Sequence, residues 1–193
     1  MLAIHWHQGS EIESSPAGWI AALHVPGLAP AGLASGPGAW EIASPIADQS
    51  LRVLPMFTAL ALGGIILAAW AAFRCMPPTS ERPLTCLIAP LGAALIVFAA
   101  AGKVFSLQYV IWWLPLMPLL PTRFFALGLI LNELTVLIFP FSFDALLEFR
   151  PLPVLLVNLR NLIALGLAAQ LAFWPLRAFY TNDGRSLSRP SWP

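Results

Sequence analysis

Charged side chains are scarce in this chain: Asp, Glu, Lys and Arg together make up 10% of its 193 residues. The formal net charge is +1, and the few Lys and Arg residues are scattered rather than gathered into a basic stripe, so nucleic acid is excluded as a partner. Cysteine is nearly absent. Cys75 and Cys86 flank a loop assigned below to the cytoplasm, where thiols stay reduced, and no structural disulfide is expected. The opening Met1-Leu-Ala-Ile-His lacks both a basic lead-in to an apolar core and a small-residue cleavage site. A signal peptide is therefore not expected, and the spans themselves must direct insertion. There is no internal repeat, and no low-complexity tract beyond the Gly/Ala/Pro-rich loop before Trp40.

Apolar residues are what the chain has in abundance, at 59% of the sequence with a mean hydropathy of +0.78. Those values lie far outside the range of soluble domains and predict an all-α, polytopic integral membrane protein. A transmembrane helix needs roughly 20 predominantly apolar residues. Four segments approach that length, 51–73, 84–101, 124–140 and 153–176. A fifth, 104–120, is short and carries Pro115 and Pro118, which predict a kink or break near its C-terminal end. The sequence thus divides into an external loop (1–50), a bundle of about five transmembrane helices (51–176) and a cytoplasmic tail (177–193). Within the loop, residues 16–25 predict a half-helix at the membrane interface, with Ser15 as N-cap and Pro16 at the first helical position. The remainder, through "GLAPAGLASGPGAWEIASP", reads as loop.

Orientation follows from the arginines, because cytoplasmic loops are enriched in Lys and Arg near span ends. With residues 1–50 outside, the cytoplasmic segments carry Arg74, Arg82, Arg123, Arg177, Arg185 and Arg189, against Arg52, Lys103 and Arg150 outside. The same topology puts Glu11, Glu13, Glu41, Asp48, Asp144, Glu148, His5, His7, His24, Lys103 and Gln108 on the external side. Most of the candidate chemistry therefore faces one compartment.

Two polar stretches stand against this apolar background: "HWHQGSEIESSPAGWIAALH" from His5 and "GKVFSLQYVIWWLPL" from Gly102. Both resemble signatures of the polytopic GT-C glycosyltransferases, and most closely the polyprenyl-phosphate-mannose-dependent mannosyltransferases of glycosyltransferase family 87. In that family a His-containing "RGLQIES" stretch precedes an apolar half-helix, and a "K-V-x-S-P-Q-Y-x-x-W-x-x-P" run comes late in the chain. Lys103, Ser106, Gln108, Tyr109, Trp112 and Pro115 stand in the family's spacing. Gln8 replaces the family's Arg, Glu11 its Gln and Leu107 its Pro.

The resemblance implies a membrane hexosyltransferase of the cell membrane that moves a hexose, expected to be mannose, from a polyprenyl-phosphate donor to a lipid or glycan acceptor on the external face. It covers only the C-terminal half of the family. The catalytic Asp that family members carry in their first external loop has no counterpart here, so the chain is expected to be a donor-binding fragment with no catalytic residue of its own. No cofactor is implied, and the protein's remaining partners are membrane lipids.

Within this reading Lys103 is the expected anchor for the donor phosphate, since an anionic head at the membrane surface calls for a fixed cation. On spacing alone it is equally a snorkelling lysine that anchors a helix end. His5 is the histidine of the family pattern and a second candidate for the phosphate, while His7 has no counterpart. Ser106, Gln108 and Tyr109 are candidate substrate contacts, with Tyr109, Trp112 and Trp113 also suited to an aromatic belt. Glu11 and Glu13 lie two apart, so an extended segment turns both to one side, where they could hold sugar hydroxyls or form a solvated acidic loop. His5, His7 and Glu11 are too loosely spaced to assign a metal. Glu133 and Arg160 each lie about 10 Å inside a span at the helical rise of roughly 1.5 Å per residue, and their matched depth predicts a structural ion pair.

Two readings compete with the enzyme: a small transporter or channel subunit lined by Glu133, Arg160 and Lys103, and a structural membrane module without catalysis. The topology is directly testable. Cysteines introduced at Ser35 and Asp144 should react with a membrane-impermeant thiol reagent in intact cells while one at Ser80 stays protected; labelling of Ser80 alone would invert the orientation.

Overall fold

A computed structural model of the chain describes residues 9–36, 39–75 and 84–183. His5, His7, Ser80, Arg82 and the expected tail beyond residue 183 fall outside them. The described chain is mainly helical: α1 (Ser15–His24), α2 (Pro45–Cys75), α3 (Thr85–Ala100), α4 (Val110–Trp113), α5 (Thr122–Val136), α6 (Phe143–Leu147) and α7 (Pro151–Asp183). A single antiparallel hairpin, β1 (Gly32–Gly36) and β2 (Ala39–Ala43), lies between α1 and α2.

Three helical stretches are long and apolar enough to cross a membrane: Pro45–Arg74, Thr122–Phe141 and Pro151–Arg177. They coincide with three of the expected spans. The other two expected spans are shorter. Thr85–Ala100 is a single apolar helix of 16 residues. The segment after residue 104 is broken throughout rather than at its end, running as a 3₁₀ turn (Leu107–Tyr109), the single turn of α4 and a second 3₁₀ stretch (Leu114–Leu119). Pro115 and Pro118 cannot donate the backbone hydrogen bonds a regular helix needs there.

The helices pack around α7, half of whose most apolar window is buried, compared with 6% for α2. Ile96 and Ala93 of α3, Leu131 of α5, Trp113, Met117, and Leu167 and Leu171 of α7 form the larger core cluster. Gly128 on α5 is what lets Met117 in, since a Cβ there would lie 2.9 Å from Met117 Cγ and Met117 is completely buried. A second cluster forms where Ile12, Ile20 of α1, Ile42 of β2 and Ile138 meet Leu146 of α6 and Val157 of α7.

The half-helix forms where it is expected, one residue earlier than predicted. Ser14, not Ser15, is the N-cap, its hydroxyl accepting from Ala17 N at 3.4 Å. Ser15 donates instead to Ala100 O at 2.5 Å and ties α1 to the end of α3. The helix packs against α7 with Ile20 and Ala21 buried, leaving Trp19 on the exposed side. It ends at His24, and the turn that follows contains Gly27, whose φ of 79° suits a residue without a Cβ.

The hairpin occupies a region expected to be loop. Backbone bonds from Ile42 N to Ser10 O and Ile12 N to Trp40 O, both 2.9 Å, join the N-terminal segment to β2 through an isolated antiparallel bridge, Glu11 opposite Glu41. The Met117–Gly128 contact gives a clean packing test. Gly128→Ala should lower the thermal unfolding temperature in detergent, by an overpacking cost of about 1 to 3 kcal/mol offset partly by the helix propensity of alanine. Gly166→Ala on α7, with open space around its Cβ, should not.

Candidate functional site

Polar residues converge at one end of the bundle, where the N-terminal segment, residues 102–109 and α7 meet. The centre is Arg160, on α7 and 1% exposed. Its Nη2 donates to Glu13 O at 2.6 Å and to Phe105 O at 3.2 Å, and its Nε donates to Asn161 Oδ1 at 3.1 Å. The guanidinium carbon lies 4.2 Å from the centroid of the Phe105 ring. Asn161 Nδ2 adds a bond to Glu13 O at 3.3 Å. One turn earlier in α7, Asn158 Nδ2 reaches Gly18 O at 2.8 Å. Three elements distant in sequence are thereby fixed to one helix by side chains reaching main-chain carbonyls.

Arg160 does not pair with Glu133. Glu133 is exposed on α5, and the charges that act on Arg160 are those of Glu13 and Glu11. Equal depth along two helices says nothing about the faces on which the residues stand, and Arg160 faces the N-terminal segment.

Glu11 holds the second junction. Its main-chain N–H donates to Lys103 O at 2.9 Å. Its carboxylate accepts from Phe105 N at 3.1 Å and from the Ser106 hydroxyl at 2.8 and 2.9 Å. The structure therefore brings together Glu11, Glu13, Lys103 and Ser106 from the two polar stretches, and ties Ser106 to Glu11. Tyr109 packs edge-on against Trp112 at 4.5 Å between ring centroids. Gln108 is exposed. His5 lies outside the described residues.

The two glutamates differ in their surroundings. Burial pushes the Glu11 carboxyl above its usual range, opposed by the Ser106 and Phe105 hydrogen bonds. Glu13, 5% exposed, receives no hydrogen bond on its carboxylate from the described residues. Burial raises its pKa from 4.5 to about 7, with the Arg160 guanidinium pulling it down and Glu11 pushing it further up.

Two hollows flank this junction. A groove of about 550 Å³ runs along α2 and the end of α3, with Leu54, Thr58, Leu62 and Phe98 in its walls and Lys103 and Tyr109 at its polar end. A smaller cleft, of about 280 Å³, is bordered by Glu11, Glu13, Trp40, Ser106, Phe139 and Phe143. Phe105, Asn158, Asn161 and the aromatic side of the cleft are not among the residues expected from the sequence. The run Asn158-Leu-Arg-Asn161, four residues with three polar ones inside an apolar span, is the signal from which the hub could be read. No protein-family model, curated protein or solved structure matches this chain.

A raised carboxyl pKa has a definite sign for stability. The folded chain holds the Glu13 proton more tightly than the unfolded one, so this contribution is complete below 4.5 and is lost as pH rises through about 7. Wild-type protein should therefore lose thermal stability between about pH 5 and pH 8. Glu13→Gln, which keeps the neutral shape, should flatten that part of the profile; an unchanged profile would show that Glu13 does not titrate there.

Proposed function

We propose that this chain is the donor-binding part of a cell-membrane glycosyltransferase that transfers a hexose, mannose by resemblance, from a polyprenyl phosphate to a lipid or glycan acceptor on the external face. The observation that carries the reading is the groove between α2 and α3 with Lys103, the chain's single lysine, at its polar end. A ligand suited to it has a long apolar tail to lie along Leu54, Leu62 and Phe98 and an anion to meet an ammonium. A polyprenyl phosphate has both. With residues 1–50 external, as the arginine distribution suggests, that anion would lie at the membrane surface.

In the transfer itself an acceptor oxygen forms the new bond to the anomeric carbon as the bond from that carbon to the phosphate oxygen breaks. The electron pair leaves with the lipid phosphate. A cation held at the leaving phosphate lowers the barrier because negative charge grows there in the transition state, and Lys103 fills that role. The resemblance assigns the general base to an aspartate that has no counterpart among these residues, and this chain to the donor. Residues 103–106 are well suited to present a cation, since the Lys103 and Phe105 carbonyls and the Phe105 N–H are all bonded to Glu11 or Arg160. A lysine on a fixed backbone loses less freedom on binding than one on a mobile loop.

The test is photolabelling of the chain in lipid nanodiscs by a photoreactive polyprenyl-phosphate-mannose, competed by the unlabelled lipid. Lys103→Ala should weaken competition about tenfold or more, as expected for a charge-assisted contact worth about 1.5 to 3 kcal/mol. Lys103→Arg should restore it partly, because a planar guanidinium does not replace a compact ammonium at a single phosphate. Gln108→Ala should cost less, as loss of a neutral hydrogen bond worth about 0.5 to 1.5 kcal/mol. Undiminished competition in Lys103→Ala would make the residue an interfacial anchor and remove the donor site from this groove.

A further inference from the structure

Residues 103–109 contribute to both hollows: Lys103, Val104 and Tyr109 to the lipid groove, Ser106 to the cleft beside it. The chemistry of the cleft differs from that of the groove. Its carboxylates come from Glu11 and Glu13, and its ring surfaces from Trp40, Phe139 and Phe143.

The two carboxylates are not equivalent. Glu11 is already held by the Phe105 N–H and the Ser106 hydroxyl and forms a fixed wall. Glu13 is 5% exposed and its carboxylate takes no hydrogen bond from the described residues, although it borders the cleft. Its oxygens are not among the enclosed side-chain atoms that lack a partner, such as Glu41 Oε1 and Arg160 Nη1; bordering the hollow, they can accept donors supplied from within it. Trp40 and Phe139 keep more than two-fifths of their surface open, and Phe139 meets Phe143 edge to face at 5.3 Å between centroids.

Candidate ligands can be sorted by these features. A metal cation would use the carboxylates but gain little from three aromatic rings, and the buried Arg160 charge acts on Glu13 from behind. An acyl or prenyl tail would use the rings and strand the carboxylate. A pyranose carries hydroxyl donors around its rim and an apolar C–H face on the same ring, and so satisfies both. The volume, about 280 Å³, lies just under the roughly 300 to 1,000 Å³ of pockets that hold drug-sized ligands. It suits one sugar ring and not an extended glycan.

We propose that this cleft is a subsite for a single hexose ring, held by hydroxyls donating to Glu13 and by stacking of the ring's apolar face on Trp40. The proposal rests on the glycosyltransferase reading for the sugar class and adds the place where that sugar sits. The ring can belong to the donor or to a glycan acceptor, and the experiment separates the two.

The full chain in lipid nanodiscs is titrated with methyl α-mannoside, glucoside and galactoside, followed by saturation-transfer NMR. The titrations are repeated in the presence of bare polyprenyl phosphate and of polyprenyl-phosphate-mannose. At least one hexoside should bind, and Glu13→Gln and Trp40→Ala should each weaken it about tenfold or more while leaving bare polyprenyl phosphate bound. The main-chain carbonyl of Glu13, which holds Arg160, survives the Gln change, and Trp40 is 42% exposed, so neither variant removes a core contact. Displacement of the hexoside by the sugar-bearing lipid, but not by the bare one, places the donor's hexose in the cleft. Simultaneous binding of hexoside and sugar-bearing lipid assigns the cleft to the acceptor. Absence of hexoside binding to the wild-type chain, or equal affinity in both variants, overturns the subsite. Hexoside binding without any binding of polyprenyl phosphate would instead overturn the lipid-donor reading and leave the subsite standing.

Discussion

A guanidinium buried near one end of a helix bundle is the constraint around which this end of the molecule is organised. An isolated charge in such a place costs several kcal/mol, and the cost is offset only when hydrogen bonds and opposite charges surround it. Arg160 is surrounded by main-chain carbonyls from two segments, a neighbouring asparagine, an aromatic face and the field of two glutamates, while its Nη1 has no hydrogen-bond partner among the described residues. Each partner is needed by Arg160, and each is positioned by it. The N-terminal segment has few apolar residues with which to hold itself in place, and it is docked through this polar hub as much as through Ile12 and Ile20.

From the hub follows the geometry of both hollows. Residues 103–106 are bonded on one side to Glu11 and on the other to Arg160, between the end of α3 and the first 3₁₀ turn. Lys103 and Ser106 border different hollows, one walled by aliphatic helix surface and the other by carboxylates and aromatic rings. A short run of chain that is rigid because its polar atoms are satisfied thus separates a lipid-like environment from a polar one.

Much of this was legible before any coordinates. The long spans follow from hydropathy alone, and the two polar stretches do lie together, with Glu11 and Glu13 bordering one cleft although residues 12 and 13 form a turn and not the extended segment expected. The hairpin was not legible, because Gly32–Gly36 and Ala39–Ala43 are built from Gly and Ala with few β-branched residues, and their pairing depends on the N-terminal segment lying alongside. The partner of Arg160 was misjudged for another reason. Depth is encoded in the count of residues from a span end, whereas the face a residue presents depends on packing that no single helix specifies. The link from Glu11 to Ser106 joins residues 95 positions apart, and nothing local in either stretch announces it. Where charge is so sparse, a polar residue within a span marks a junction more reliably than it identifies the partner.

The order of the chain adds a consequence for biogenesis. Every main-chain carbonyl that Arg160 grips belongs to a residue synthesised 55 or 147 positions earlier. Insertion is sequential, so Glu13 and the loop around Phe105 have left the translocation machinery before α7 arrives, joined to each other through Glu11. The helix enters carrying an unpaired cation in its N-terminal third, a poor substrate for lateral release into lipid by itself. Docking against the waiting carbonyls supplies the missing solvation, so partitioning of α7 and completion of the hub around Arg160 are coupled and come last.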